Sequence, residues 1–97
     1  MLSGDIRIND VKIGQWTARR VSESNGFRNY HCTLTYRALD GYNYHATWEI
    51  WGVSANNGAV SLGARVMQEG MAKAERVQPT TLKDDTLDVM SRAVNGR

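Results

Sequence analysis

The chain has 97 residues, 41% of them hydrophobic and 23% charged, with 12 basic side chains, 10 acidic side chains and one cysteine. This length predicts a single domain, and the composition excludes collagen-like, low-complexity and disordered classes. A lone Cys32 excludes an internal disulfide framework. No apolar run reaches the ~18 residues that a membrane span needs, and no basic-then-apolar leader opens the chain. We therefore expect a cytoplasmic protein with no membrane partner.

The first predicted element is a β-hairpin. Apolar residues at every second position flank the pair Asn9-Asp10, namely Ile6, Ile8, Val11 and Ile13. A two-residue turn would pair Ile8 with Val11 and Ile6 with Ile13, all on one face. Beyond Gly14 the inward positions shift by one, to Trp16 and Ala18, which predicts a β-bulge at the glycine.

Two further strands follow with the same alternation. The second strand is predicted to end near Val21, before a polar turn over 22–26. The third covers 27–38, and Asp40-Gly41 marks the next turn. In the fourth strand apolar side chains alternate with a set that continues the polar face, namely His45, Thr47, Glu49 and Trp51. One apolar face and one polar face result, and the apolar face must be covered.

A helix predicted over 57–78 provides that cover. Its apolar stripe consists of Val60, Gly63, Val66, Met67, Gly70, Met71, Ala74 and Val77. Gly63 and Gly70 each lower helix propensity by about 1 kcal/mol relative to alanine, so their place on the stripe predicts close approach to the sheet, with large strand aromatics filling the space. Pro79 is expected to end this helix.

A second helix is predicted over 81–95. Thr81 with Asp84 resembles a capping box, and the apolar face consists of Leu82, Leu87, Met90, Ala93 and Val94. The sequence leaves open whether this helix packs on the sheet or on a partner. The predicted fold is therefore α+β, a four-stranded antiparallel β-meander with two C-terminal helices, at least the first packed on one face. It forms one domain over 1–97, with the meander in 1–53.

Motifs for catalysis are weak. Cys32 and His31 are neighbours on one strand, so their side chains point to opposite faces, and a buried structural cysteine is favoured over a nucleophile. His31 and His45 fall on the polar face and are expected to lie near each other across the hairpin. With Glu49 they supply fewer well-placed ligands than a zinc site needs. We expect no enzyme activity, no metal and no cofactor.

The polar face is the strongest candidate for a binding surface. The residues predicted to contact a partner are Arg7, Arg19, Arg37 and Trp51, with Tyr42 near a turn at the edge. Arginine and exposed aromatics are enriched at protein–protein hot spots, which favours a protein partner. The same face, with its threonines, leaves nucleic acid as an alternative, although a net charge of +2 gives it little support. A third alternative is a homodimer formed through strand edges or the last helix, with Met67, Met71 and Met90 in contact.

The opening segments Ile6 to Asp10 and Ile13 to Trp16 resemble those of small accessory proteins of bacteriophages that infect actinobacteria. The resemblance covers roughly the first twenty residues. It implies a non-enzymatic, phage-encoded protein that binds a host or phage component in the host cytoplasm. It carries over no functional residues.

Overall fold

The computed structural model describes residues 1–78. They form one five-stranded antiparallel sheet in the order β1-β2-β3-β4-β5, with a single helix on one face. The element bounds are β1 Leu2–Ile8, β2 Val11–Ser24, β3 Phe27–Arg37, β4 Asn43–Ser54, α1 Ala59–Lys73 and β5 Glu75–Arg76. The α+β class and the antiparallel sheet are confirmed. Within this part of the chain no helix is both long enough and apolar enough to cross a membrane.

The first hairpin closes through a two-residue turn. Asn9 and Asp10 both have positive φ, 51° and 65°, and Ile8 pairs with Val11 as predicted. The predicted pairing of Ile6 with Ile13 is wrong, because Ile6 lies opposite Gly14 and the register shifts there. The predicted bulge is therefore present, and it absorbs one residue of β2. An alanine at Gly14 would overlap the Thr35 carbonyl oxygen of β3, so the position requires glycine.

The second turn is tighter than predicted. β2 continues to Ser24, which pairs with Phe27, and only Asn25-Gly26 lies between them. Both turn residues have positive φ, as a primed two-residue hairpin turn requires. The third turn lies at Asp40-Gly41 as predicted. Asp40 holds it by accepting hydrogen bonds from the Tyr42 amide at 2.9 Å and the Tyr44 hydroxyl at 2.6 Å.

Helix α1 packs on the apolar face through its glycines. A Cβ on Gly63 would lie 2.9 Å from the Trp16 ring, and one on Gly70 would lie 2.6 Å from the Trp48 ring. The predicted close approach against large aromatics is confirmed. The core between the sheet and the helix includes strand residues Ala18, Tyr30, Cys32, Leu34, Ile50 and Val53 and helix residues Leu62 and Val66. The stripe prediction is wrong at Val60, which is 89% exposed, at Met71, which is also exposed, and at Val77, which lies beyond the helix. It also missed the buried Leu62.

The helix ends earlier than predicted, and a fifth strand takes its last residues. α1 stops at Lys73, Ala74 is extended with ψ 137°, and Glu75 and Arg76 pair with His45 and Tyr44. The amide of Val77 then donates to the Asn43 carbonyl at 2.8 Å. Pairing with the edge of β4 thus begins directly after α1, and the helix ends six residues before Pro79 rather than at it. The second predicted helix, 81–95, lies outside the described residues.

Candidate functional site

The two faces of the sheet differ in what covers them. Helix α1 covers one face, which we call the helix side, and no described element lies over the other, which we call the open face. The strand registers set open-face side chains in rows that run across the strands. The central row is Ser3, Thr17, Thr33 and Thr47. Thr17 Oγ1 and Thr33 Oγ1 share a hydrogen bond of 2.5 Å, so this row is a polar, rigid centre of the face.

One end of the open face carries Arg19, His31, Glu49 and Trp51, which we call the Trp51 cluster. Arg19, His31 and Glu49 are neighbours in register, and His31 Nδ1 lies 3.0 Å from Glu49 Oε2. Trp51 is 66% exposed. Because Trp51 follows Ile50, which is buried on the helix side, strand alternation places it on the open face.

Asn29 fixes the backbone beside Trp51. The register of β3 shifts against both neighbours around this residue. The side-chain Nδ2 of Asn29 donates to Ser22 Oγ, and its side-chain Oδ1 accepts from the Gly52 backbone amide, both at 2.9 Å. Gly52 has φ +70°, a conformation that glycine adopts freely. One side chain thus joins three strands and holds the main chain that presents Trp51.

At the opposite end of the open face, two basic side chains pair with a carboxylate and a third does not. The Asp5 carboxylate forms ion pairs with Lys12 at 3.3 Å and with Arg7 at 3.2 Å. Lys12, and to a smaller extent Arg7, lower the pKa of that carboxyl. Arg37 lies at the end of β3 in register with Asn43, and no carboxylate of the described residues pairs with it.

The five predicted contact residues do not form one site. Arg19 belongs with Trp51, whereas Arg7 and Arg37 lie near the other end, about 20 Å away for six residues of strand. Tyr42 is not on the open face. Its ring lies under the Arg76 guanidinium at 4.4 Å, and Arg76 is paired with Tyr44, which stacks on Tyr36 on the helix side. The alternation thus placed Arg19, Arg37 and Trp51 on one face, and the strand registers set them at different ends of it.

The predicted closeness of the two histidines is wrong. His31 lies opposite Glu49, whereas His45 lies opposite Thr35 and shares a 3.1 Å hydrogen bond with Thr47. Four residues of strand therefore separate the two rings along the sheet. Among residues 1–78 no group of three or more His, Cys, Asp or Glu side chains is placed to hold a metal ion.

A groove that sequence reasoning missed lies at the Arg37 end. It has a volume of about 540 Å³, and its lining includes Ile13, Thr35, Arg37, Asn43, His45 and Val77. The same lining also includes Tyr36 and Tyr44, whose rings stack on the helix side, and Ile13 packs against the core there, so the groove is lined by residues that alternate between the two faces. The segment after β5 contributes Val77 to this lining, because the Val77 amide donates to the Asn43 carbonyl. No local pattern in the sequence could have indicated a two-residue strand.

Comparison with protein-family models, curated proteins and solved structures finds no match for this chain.

Proposed function

We propose that this chain is a small non-enzymatic binding protein that engages a protein partner through the open face, with the Trp51 cluster as its main contact. The observation that carries the proposal is a tryptophan 66% exposed at the same end as Arg19 of a face that no described element covers. Tryptophan and arginine are the residue types that most often dominate binding energy at interfaces. Asn29 holds the backbone beside Trp51, which reduces the ordering cost of binding.

The charges of the open face favour a protein over a nucleic acid. Asp5 pairs with Arg7 and Lys12, and Glu49 lies against His31, so two carboxylates are set among the basic groups of the face. Binding driven by phosphate needs several cations whose counterions are released together. Acids interspersed with bases instead suit a polar protein surface. In line with the resemblance of its opening residues, the proposed partner is a host or phage protein in the cytoplasm of the host.

Affinity capture from an actinobacterial lysate with matched variants tests this proposal. The baits are the unaltered chain, Trp51→Ala and Arg19→Ala. The controls are Arg20→Ala and Val60→Ala. Arg20 is the adjacent arginine in register with buried Tyr30, and Val60 is an exposed apolar residue of α1. Thermal unfolding of each variant accompanies the capture.

We expect one captured protein whose recovery falls about tenfold or more with either open-face variant and is unchanged with either control. All four melting temperatures should stay close to that of the unaltered chain. Equal loss with the controls would contradict a site on the open face. A large fall in melting temperature for Trp51→Ala would show that this side chain is structural.

A further inference from the structure

A row of apolar and aromatic side chains crosses the helix side near the first and third turns, and we call it the tip row. It consists of Ile8, Val11, Ile13, Tyr36 and Tyr44. Ile13 and Tyr36 pack against the core, and Tyr44 stacks on Tyr36 with the ring centroids 5.2 Å apart. Ile8 follows the buried Ile6 by two residues and pairs with Val11, so strand alternation places both on this side as well.

The tip row has no complete cover among residues 1–78. Ile8 is 45% exposed and Val11 is 62% exposed, and the other three members are only partly buried. Helix α1 packs farther along the strands, where its glycines meet Trp16, Leu34 and Trp48. Apolar side chains on the inward phase of a strand normally lie beneath a second layer. The second layer of this sheet therefore extends beyond α1.

The dimensions of the tip row fit one helix beside α1. The row crosses four strands, which at about 4.8 Å between neighbours span about 14 Å, or about ten residues of helix. Tyr36 lies two residues along β3 from Leu34, which is about 7 Å. Packed helices lie about 8–10 Å apart, so a helix over the tip row would be a direct neighbour of α1.

The remainder of this chain starts at the same end of the sheet. The described residues end just after Val77, whose amide donates to the carbonyl of Asn43, the residue before Tyr44. The segment predicted to be an amphipathic helix, 81–95, begins four residues later. Residues 78–80 can span about 10 Å when extended, which is enough to reach the tip row.

A charge near the start of the tip row also matches this segment. Arg76 is paired with Tyr44 and lies over the Tyr42 ring, and it forms no salt bridge within the described residues. Asp84 and Asp85 fall in the first turn of the predicted helix, the turn that would enter closest to Arg76. The local charge thus favours an acidic segment at this point.

We propose that residues 81–95 form a helix that packs on the tip row beside α1, with its apolar stripe against Val11, Ile13 and Tyr36. The stripe is formed by Leu82, Leu87, Met90, Ala93 and Val94. A covalently attached segment has an effective concentration in the millimolar range, which favours it over a second copy or a separate partner. The chain then closes its own helix side. The inference is independent of the proposed function, which concerns the opposite face.

Thermal unfolding of the full chain with matched variants tests this packing. The test variants are Leu87→Ala and Val11→Ala. Their controls are Asp88→Ala, on the polar side of the predicted helix, and Val60→Ala, at an exposed valine of α1. We expect each test variant to lower the melting temperature by about 4 °C or more and neither control to lower it. The double variant should lose less than the sum of the two, because both remove one contact.

Methyl NOEs give the direct contact, measured on a mixture of two differently labelled samples of the full chain. We expect NOEs from Leu87 to Val11 or Ile13 within one molecule, unchanged on dilution. NOEs only between differently labelled molecules would overturn the proposal in favour of a second copy. No NOE, with an unchanged melting temperature for Leu87→Ala, would show that the segment does not cover the tip row. If that variant instead lost lysate capture at an unchanged melting temperature, the segment would serve the partner.

Discussion

At the scale of single residues, Cys32 shows how a side chain can look reactive in the sequence and be inert in the fold. It lies fully buried on the helix side of β3, among the core residues beneath α1. Burial raises the pKa of its thiol to about 11, and the negative charges of Glu69 and Glu49 add to the effect. The thiolate is the nucleophilic form of cysteine, so the folded protein keeps this group unreactive at neutral pH.

We predict that Cys32 makes unfolding depend on pH in the alkaline range. The folded chain holds the thiol neutral up to about pH 11, whereas the unfolded chain ionises it above about pH 9. Its contribution to stability is therefore complete below pH 9 and is lost as the pH rises toward 11. Urea unfolding at pH 8 and pH 10.5 should show a larger loss for the unaltered chain than for Cys32→Ala. Equal losses in both proteins would contradict this.

At the scale of elements, the contact of α1 with the sheet depends on residues that lack a side chain. Trp16 lies against Gly63, and Trp48 and Leu34 lie against Gly70, so two indoles fill the space that larger helix residues would take. Trp48 Nε1 also donates to Glu69 Oε1 at 3.2 Å, and Arg65 holds that carboxylate at 2.8 Å. The position of the helix is thus set by both packing and a polar contact at its edge.

We predict that Gly70→Ala destabilises the fold although alanine is the better helix former. A Cβ there would lie 2.6 Å from the Trp48 ring and 3.1 Å from Leu34 Cβ, which sits close to the main chain and has little freedom to move. Overpacking of this kind costs about 1–3 kcal/mol, against a gain in propensity of about 1 kcal/mol. Denaturant unfolding should give a net loss, a smaller one for Gly63→Ala, and almost none for the exposed Gln68→Ala. A gain for Gly70→Ala would contradict the packing described.

At the scale of the whole molecule, the part of the chain that the structure describes has the shape of a plate. Its extents are 56 × 34 × 18 Å, and its radius of gyration of 17.4 Å exceeds the ~13 Å of a compact domain of 100 residues. A single helix on a long sheet leaves the other face without a second layer among residues 1–78. This exposed face is the surface through which we propose that the chain engages its partner.

We predict that the protein does not bind nucleic acid in a salt-sensitive way. The net charge is only +2, and the carboxylates of Asp5 and Glu49 lie among the basic groups of the open face. Size-exclusion chromatography with light scattering, run at low salt with a short duplex and a single strand, should show no shift in mass. A complex that forms at low salt and is lost at moderate salt would favour the nucleic-acid alternative. The same run measures the mass of the protein alone, which tests the homodimer alternative.

Much of this architecture could be predicted from local patterns. The alternation along β1 to β4 predicted four strands and most of their inward positions, because a half-buried strand must place apolar side chains at every second position. The exceptions are Ile8 and Val11 beside the first turn, which are exposed. Gly14 predicted the bulge, and Gly63 and Gly70 predicted close packing of α1. The open face followed from the same alternation, since the residues that do not face the core must face away from it.

Only the tertiary structure decided where α1 ends and which residues of the open face become neighbours. The end of α1 at Lys73, the strand β5 and the groove beside Val77 depend on hydrogen bonds to Tyr44, His45 and Asn43, about thirty residues earlier in the chain. The separation of Arg19 and Trp51 from Arg7 and Arg37 depends on strand registers, and a shift of register moves every side chain. Local periodicity determines which face a residue joins. Which residues become neighbours on that face is determined by pairing between distant strands.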